Sequence, residues 1–511
     1  MNIIQQFHDK INGISETFDR MIINGYILQM CNTRQFLYFL IQNGIKLMNF
    51  SNFANEQTKL LCDHIDNYIK ENEVKLQYLK SGKTKKGDFA EKDFAANPDK
   101  IGLVGAYSVV ELCNTMTVDK NRENGKLEVV SQKRKCKHYY LYYNDFEFGK
   151  MFVKIQTWFP YNVQIYINGR EYLSKILDKE NIKYEMYHNS FSYIENFGRA
   201  QELADGILNK NLVSSFDGII AKINNHLPNI ESVFGSSYYW CIDQCEFATD
   251  INFKCRDDLK FYKKLVETAF FSFSSSDIYS FYGRKIDQIH KLKKGEIVSD
   301  LRNRYQGYRI KFKLNNNSVK MYDKGNNLRI EVTINNPKDF KVVKPVLDEF
   351  TGEDTGEKKW VPMGKSVVNL YRYAEISKAV INRFINALPQ IDTEILATRA
   401  VTDISTRKEI DGRVYMGFNL LNPETLILLA VIASGAFLIN GFDNKAIRGK
   451  VLNDPDSKKS KNKMTRLFAK LRAHGLIKKV HRKKRYYLTK SGREICDSIL
   501  LYTNKQLLNT A

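Results

Sequence analysis

The sequence predicts an α+β multidomain protein with a helical N-terminal region, a mixed, mostly antiparallel α+β centre, and a helical C-terminal module that includes a short hairpin. Three observations predict this. Apolar residues recur at helical spacing in 57–79, at Leu60, Leu61, Ile65, Tyr68 and Ile69. From about residue 101 the pattern changes to β-branched and aromatic runs separated by turn residues. After Pro423 helical spacing returns, then gives way to two short strand-like runs joined by a basic turn. The boundaries that follow are 1–88 for the helical region with its polar linker 80–88, 89–350 for the centre, 351–420 for a helical connector and 421–511 for the C-terminal module.

Residues 1–82 read as helices. In the centre, 109–118, 127–130 and 138–143 read as strands, and Glu123-Asn124-Gly125-Lys126 as a hairpin turn. The runs 151–159 and 163–167 continue the sheet, and Asn168-Gly169 turns the chain into a helix over 170–179. An antiparallel meander is expected at 307–335, with turns at Asn315-Asn316-Asn317 and Lys324-Gly325-Asn326-Asn327. A polar, glycine-bearing loop is expected near 349–359 and a helix at 366–388.

The length, 511 residues, corresponds to about three domains. The formal charge of +22 favours polyanionic partners such as DNA, RNA or an anionic membrane surface. The membrane is the weakest of these, because the apolar stretch 21–50 is broken by Arg34, Gln35, Gln42, Asn43 and Lys46. No signal peptide is evident, and eight irregularly spaced cysteines fit a reducing compartment, so a cytoplasmic protein is expected. Cys241, Cys245 and Cys255 do not follow a recognised zinc spacing and read as buried thiols. No glycine-rich phosphate loop occurs, which argues against a P-loop ATPase.

The C-terminal module is where the charge concentrates. Helices are expected after Pro423, over 444–452 and over 460–473, with Gly475 as an αL cap. Strands at 476–480 and 486–488 follow, joined by His481-Arg482-Lys483-Lys484-Arg485, and a last helix begins near Ser491. Between Lys445 and Lys490 there are 17 Lys and Arg against two acids, Asp454 and Asp456. The order of elements and the tract "LFAKLRAHGLIKKVHRKKRYYLTKSGREI" resemble the winged helix-turn-helix of bacterial transcription regulators, over the last 80 or so residues. The resemblance makes the third helix the recognition helix and the basic turn the wing tip. It nominates Lys458, Lys459, Lys461, Lys463, Arg466, Lys470 and Arg472, with Arg482, Lys483, Lys484 and Arg485, as nucleic-acid contacts.

Two acidic groupings lie in the centre. In "YYWCIDQCEFATD", Glu246 and Asp250 share a face if the run is a strand, while Asp243 points away. In "YDK…LRIE", Asp323 and Glu331 fall near one end of a hairpin. Carboxylates gathered on a sheet are what a Mg²⁺-dependent phosphoryl-transfer site requires. The catalytic candidates are therefore Asp243, Glu246, Asp250, Asp323 and Glu331, with Asp323 and Glu331 as metal ligands. The alternative is that these acids pair with Lys311, Lys313, Lys320, Lys324 and Arg329. The run 322–331 also resembles a strand pair of rolling-circle replication initiators, which would make Tyr322 a nucleophile; the chain has no His-x-His pair of the kind those initiators use to bind metal. The mixed basic and aromatic tract 133–143 reads either as a single-strand-binding surface or as buried sheet tyrosines.

Two readings stay open. One is a DNA-binding protein of a bacterial replicon or mobile element whose centre is a metal-dependent nuclease or initiator. The other is a non-enzymatic transcription regulator or RNA-binding protein whose central acids are structural. Oligomeric state is open in both.

Overall fold

The structure, a computed structural model, describes residues 3–187, 190–284, 296–304, 307–347, 354–388, 404–420, 422–434, 437 and 441–509. The chain forms two compact units, each assembled from separated stretches. One takes residues 13–250 and 331–378; the other takes 1–12, 251–330 and 379–511.

The strands, in chain order, begin with β1 (Ile11–Tyr26), β2 (Leu76–Leu79), β3 (Gly102–Lys120), β4 (Leu127–Asp145), β5 (Gly149–Gln156) and β6 (Val163–Asn168). A small hairpin β7 (Tyr184–Tyr187) and β8 (Ser190–Ile194) precedes β9 (Tyr239–Phe253). Then come β10 (Ile297–Arg304), β11 (Gly307–Leu314), β12 (Asn317–Lys324), β13 (Asn327–Ile334), β14 (Lys341–Leu347) and β15 (Asp354–Pro362). The expected mixed α+β class with a large, mostly antiparallel sheet is what the chain adopts.

In the first unit the strands lie in the order β13-β9-β1-β6-β5-β4-β3-β2. The pairs from β3 to β6 and the β1–β6 pair are antiparallel, and the edge strand β2 joins β3 in parallel. The predicted hairpin turn joins β3 and β4, with Gly125 at φ 69°. Tyr139, Tyr140, Tyr142 and Tyr143 are buried in this sheet rather than offered to a ligand. Tyr139 donates to Asp66 at 2.6 Å and Tyr140 to Glu111 at 2.9 Å. Burial alone would raise the Glu111 carboxyl, but hydrogen bonds from Lys154 and Lys86 hold it down at about 2.

The N-terminal region is not wholly helical. Helices Thr33–Gln42 and Phe50–Glu71 form there, and the second buries Leu61, Ile65 and Ile69 as the spacing predicts. Residues 11–26, however, are the strand β1, and 76–79 are β2. The override is tertiary: β1 pairs with β6 from Arg20↔Asn168 to Gly25↔Val163, and no local periodicity reports so distant a partner. The polar loop expected near 349–359 is likewise strand β15 from Asp354 on, paired antiparallel with β14; residues 348–353 lie outside the described residues. The connector expected at 351–420 holds helix Leu370–Ala387 together with β15 and the short hairpin Lys408–Ile410 and Arg413–Tyr415.

In the second unit, β10 to β12 and the first residues of β13 follow one another as a meander, with Asn315 at φ 53° and Gly325 at φ 64° in its turns. Its C-terminal part consists of helices Pro423–Ala433, Asn444–Val451 and Lys458–Ala473, strands Ile477–Lys479 and Tyr486–Leu488, and helix Lys490–Asn509. Side chains of Asn422, Asp443 and Ser457 cap the three helices by accepting from backbone N–H groups of the first turn. Gly475, at φ 71°, closes the third helix; Leu476 N–H donates to Leu471 O at 2.9 Å, the reversal that lets the chain leave as a strand. Leu428, Leu429, Ile447, Met464, Phe468, Leu471 and Ile499 form one core. Among the described residues, no helix is long and apolar enough to cross a membrane.

Candidate functional site

Three adjacent strands, β13, β9 and β1, each deliver one carboxylate to a common point. Asp19, Glu246 and Glu331 offer oxygens that all lie within 4.8 Å of one another. Their residues are 3%, 7% and 4% exposed, so water does little to screen the repulsion. Two arginines answer it. Arg20 Nη2 donates to Glu246 Oε1 at 2.8 Å. The Arg170 guanidinium, 1% exposed, faces Asp19 Oδ2 at 2.5 Å and donates to Asp250 Oδ2 at 3.1 Å.

Local sequence builds this corner. Asn168 ends β6 and caps helix Gly169–Lys179, accepting from Arg170 N–H at 2.8 Å while its amide donates to Asp19 Oδ1 at 3.0 Å. Gly169 allows the close approach: a Cβ there would stand 2.5 Å from the carbonyl oxygen of Phe18. Nearby, Glu16 accepts from Thr249 Oγ1 at 3.1 Å and pairs with Lys378 at 3.2 Å.

Of the five acids nominated from sequence, Glu246 and Glu331 meet and Asp250 is tied to the cluster through Arg170. Asp243 stands apart, half-exposed and paired with Lys365 at 3.2 Å. Asp323 does not join Glu331. Counted outward from the turn, Asp323 is the second residue of its strand and Glu331 the fifth, so alternation sends them to opposite faces. Burial pushes the Asp323 carboxyl up, while Arg256 opposes the shift. The Tyr322 hydroxyl accepts from Arg329 at 3.4 Å. Sequence reasoning missed Asp19 and Arg170. The one available signal for Asp19 was an Asp-Arg pair set inside the apolar run Phe18, Met21, Ile22, Ile23.

In the C-terminal part, Lys458, Lys459, Lys461, Arg466 and Arg472 are exposed on the third helix, and Arg482, Lys483, Lys484 and Arg485 on the turn between the two strands. Two nominated lysines are otherwise engaged. Lys463 pairs with Glu424 at 2.6 Å, and Lys470 Nζ donates to Gly417 O at 2.8 Å above the Phe418 ring. Burial lowers the Lys470 ammonium.

A separate group joins Cys113, Cys136 and His138, whose ligand-type atoms also lie within 4.8 Å of one another. A hydrogen bond from Cys136 lowers the Cys113 thiol, aided by His138 and Lys154, and the same pairing raises Cys136. Burial raises Cys31, Cys62, Cys241, Cys245 and Cys496. Cys113 should therefore react with iodoacetamide at about pH 6 well before these five, with peptide mapping as the measurement. Equal labelling of Cys113 and Cys62 would show that no thiolate is held there.

Neither a family model, nor a curated protein, nor a solved structure matches the chain.

Proposed function

We propose that the chain is a nucleic-acid-binding protein, with DNA the first partner to test, belonging to a bacterial replicon or mobile element and docking through 422–509 as a winged helix-turn-helix. One observation carries the reading. Lys458, Lys459, Lys461, Arg466, Arg472, Arg482, Lys483 and Lys484 are all exposed, and among the described residues none has a carboxylate partner. Three of these lysines crowd the first turn of their helix, where the macrodipole disfavours cations. A phosphate backbone at that end relieves both penalties. The order of three helices, a hairpin and a fourth helix supports the winged-helix assignment, with the third helix entering a groove and the turn at 481–485 as the wing.

The carboxylates Asp19, Glu246 and Glu331 are an oxygen-only donor set, which fits a hard cation such as Mg²⁺. Bound there, the ion would polarise a phosphodiester oxygen. Arg20, with 43% of its side chain exposed beside Glu246, is placed to hold a phosphate against the site. A second reading, favoured by the wholly buried Arg170 between Asp19 and Asp250, makes the acids structural and the protein a non-enzymatic regulator or RNA-binding protein.

One experiment separates the readings. The full chain is incubated with Mg²⁺ or Mn²⁺ and labelled single- and double-stranded DNA and RNA, beside a Glu246→Gln/Glu331→Gln variant. Metal-dependent cleavage abolished in the variant, with binding retained, is the expected result for an enzyme. Binding of wild type without cleavage of any substrate overturns the catalytic part and leaves the binding part. Failure to bind any of the four substrates overturns both.

A further inference from the structure

The strands β14 and β15 form a two-stranded antiparallel ribbon of their own. Its register sets Lys341 opposite Pro362, Val343 opposite Trp360 and Pro345 opposite Lys358. Alternation puts these six residues on one face. The other face is the packed one, with Val342 7% exposed. The first face is therefore open, and at its centre Trp360 is 68% exposed beside Val343 at 37%. Lys341 and Lys358 flank the indole along the ribbon. Tyr371, 43% exposed, and Arg372 stand at its border, where Arg372 donates to the Val343 carbonyl at 3.2 Å.

A large, flat aromatic ring left open to water between lysines is costly and needs a reason. Lys344 and Lys359, directly opposed one pair further along, lie on the other face and take no part in this one. Among the described residues, none of Lys341, Lys344, Lys358 and Lys359 has an acidic partner. An anionic chain that also presents flat rings covers the indole and neutralises Lys341 and Lys358 beside it. In a duplex the base faces are already stacked, so only an unpaired segment can offer one to the indole.

Resting on the nucleic-acid reading above, we propose that this ribbon is a second nucleic-acid contact, distinct from the C-terminal module, which holds a single-stranded segment by stacking a base on Trp360 while Lys341 and Lys358 contact the flanking phosphates.

The test reads tryptophan emission of the full chain during titration with an oligothymidylate of about 20 nucleotides and, separately, a duplex of about 20 base pairs, each longer than one single-strand site. The other two tryptophans are less accessible: Trp240 is 2% exposed, and the Trp158 ring nitrogen donates to Met116 O. The expected result is quenching by the single strand that disappears in Trp360→Phe. Trp360→Ala should weaken single-strand binding about tenfold or more. Lys341→Gln/Lys358→Gln should weaken it and lower its salt dependence, with duplex binding unchanged in all three variants. Saturated single-strand binding with unaltered Trp360 emission, or wild-type affinity in Trp360→Ala, overturns the inference while the C-terminal reading stands. A chain that binds neither probe in a gel-shift control overturns both. Quenching by an acidic peptide of equal length, but not by the oligonucleotide, assigns the face to a protein partner and overturns the inference.

Discussion

Replacing Arg170 with Met should destabilise the chain by about 3–5 kcal/mol. The guanidinium is 1% exposed and neutralises Asp19 and Asp250 together, both in the buried corner shared with Glu246 and Glu331. Removing it takes the guanidinium from two buried carboxylates that lie near two others, so their desolvation and mutual repulsion are less well compensated. Since domains are stable by only about 5–15 kcal/mol, the change should be plain in urea unfolding as a lower midpoint with an unchanged slope. Arg170→Lys should recover only part of the stability, because an ammonium is a point charge and cannot span both carboxylates as a planar fork does. Adding Asp19→Asn and Asp250→Asn to Arg170→Met should restore much of it, and that coupling is the signature of a direct interaction. A cost of Arg170→Met below about 1 kcal/mol would mean the bridge is not formed.

The second large effect concerns the turn at 481–485. Replacing Arg482, Lys483, Lys484 and Arg485 together with Ser should weaken DNA binding about a hundredfold or more at low salt. Each neutralised phosphate releases counterions when the protein binds. The slope of log K against log salt should therefore become shallower by roughly 0.9 for every phosphate no longer neutralised, or about 3–4 in all. These four residues are exposed and the turn lies outside the core, so the midpoint of unfolding should not move. Fluorescence anisotropy with a labelled duplex, repeated over a salt series, gives both quantities. An unchanged slope would take the wing out of the interface.

The parts of this arrangement that sequence discloses are the local ones. Asn168-Gly169 marks the end of β6 and the start of its helix because a cap and a close approach need those two residue types in that order. Lys324-Gly325-Asn326-Asn327 marks a turn of the meander for a similar reason. Met464, Phe468 and Leu471 reveal the third helix by their spacing, and Gly475 its end. Glu246 and Asp250 could be put on one face by counting. What counting cannot supply is the neighbour across the sheet. Asp19 meets Glu246 because β1 lies between β9 and β6, a pairing fixed by the whole core, although most of the first unit's chain separates the two acids. Its own segment, read alone, looks like one more helix. The glycine-bearing stretch near 349–359 misled in the opposite sense: its polar residues read as a loop, yet Trp360 and Val361 continue a strand because Val343 and Val342 are there to receive them.

The interleaving of the two units along the chain has a consequence for synthesis. One unit needs both residues 13–250 and residues 331–378, so its sheet stays unfinished until β13, ending at Ile334, has left the ribosome. The other draws on residues 1–12 as well as 251–330 and 379–511, so that early segment must wait until Phe253, Phe261 and Asp258, which Phe7 and Lys10 meet, have emerged. A nascent chain of this kind exposes open strand edges through much of its manufacture, which makes it a natural client for ribosome-associated chaperones.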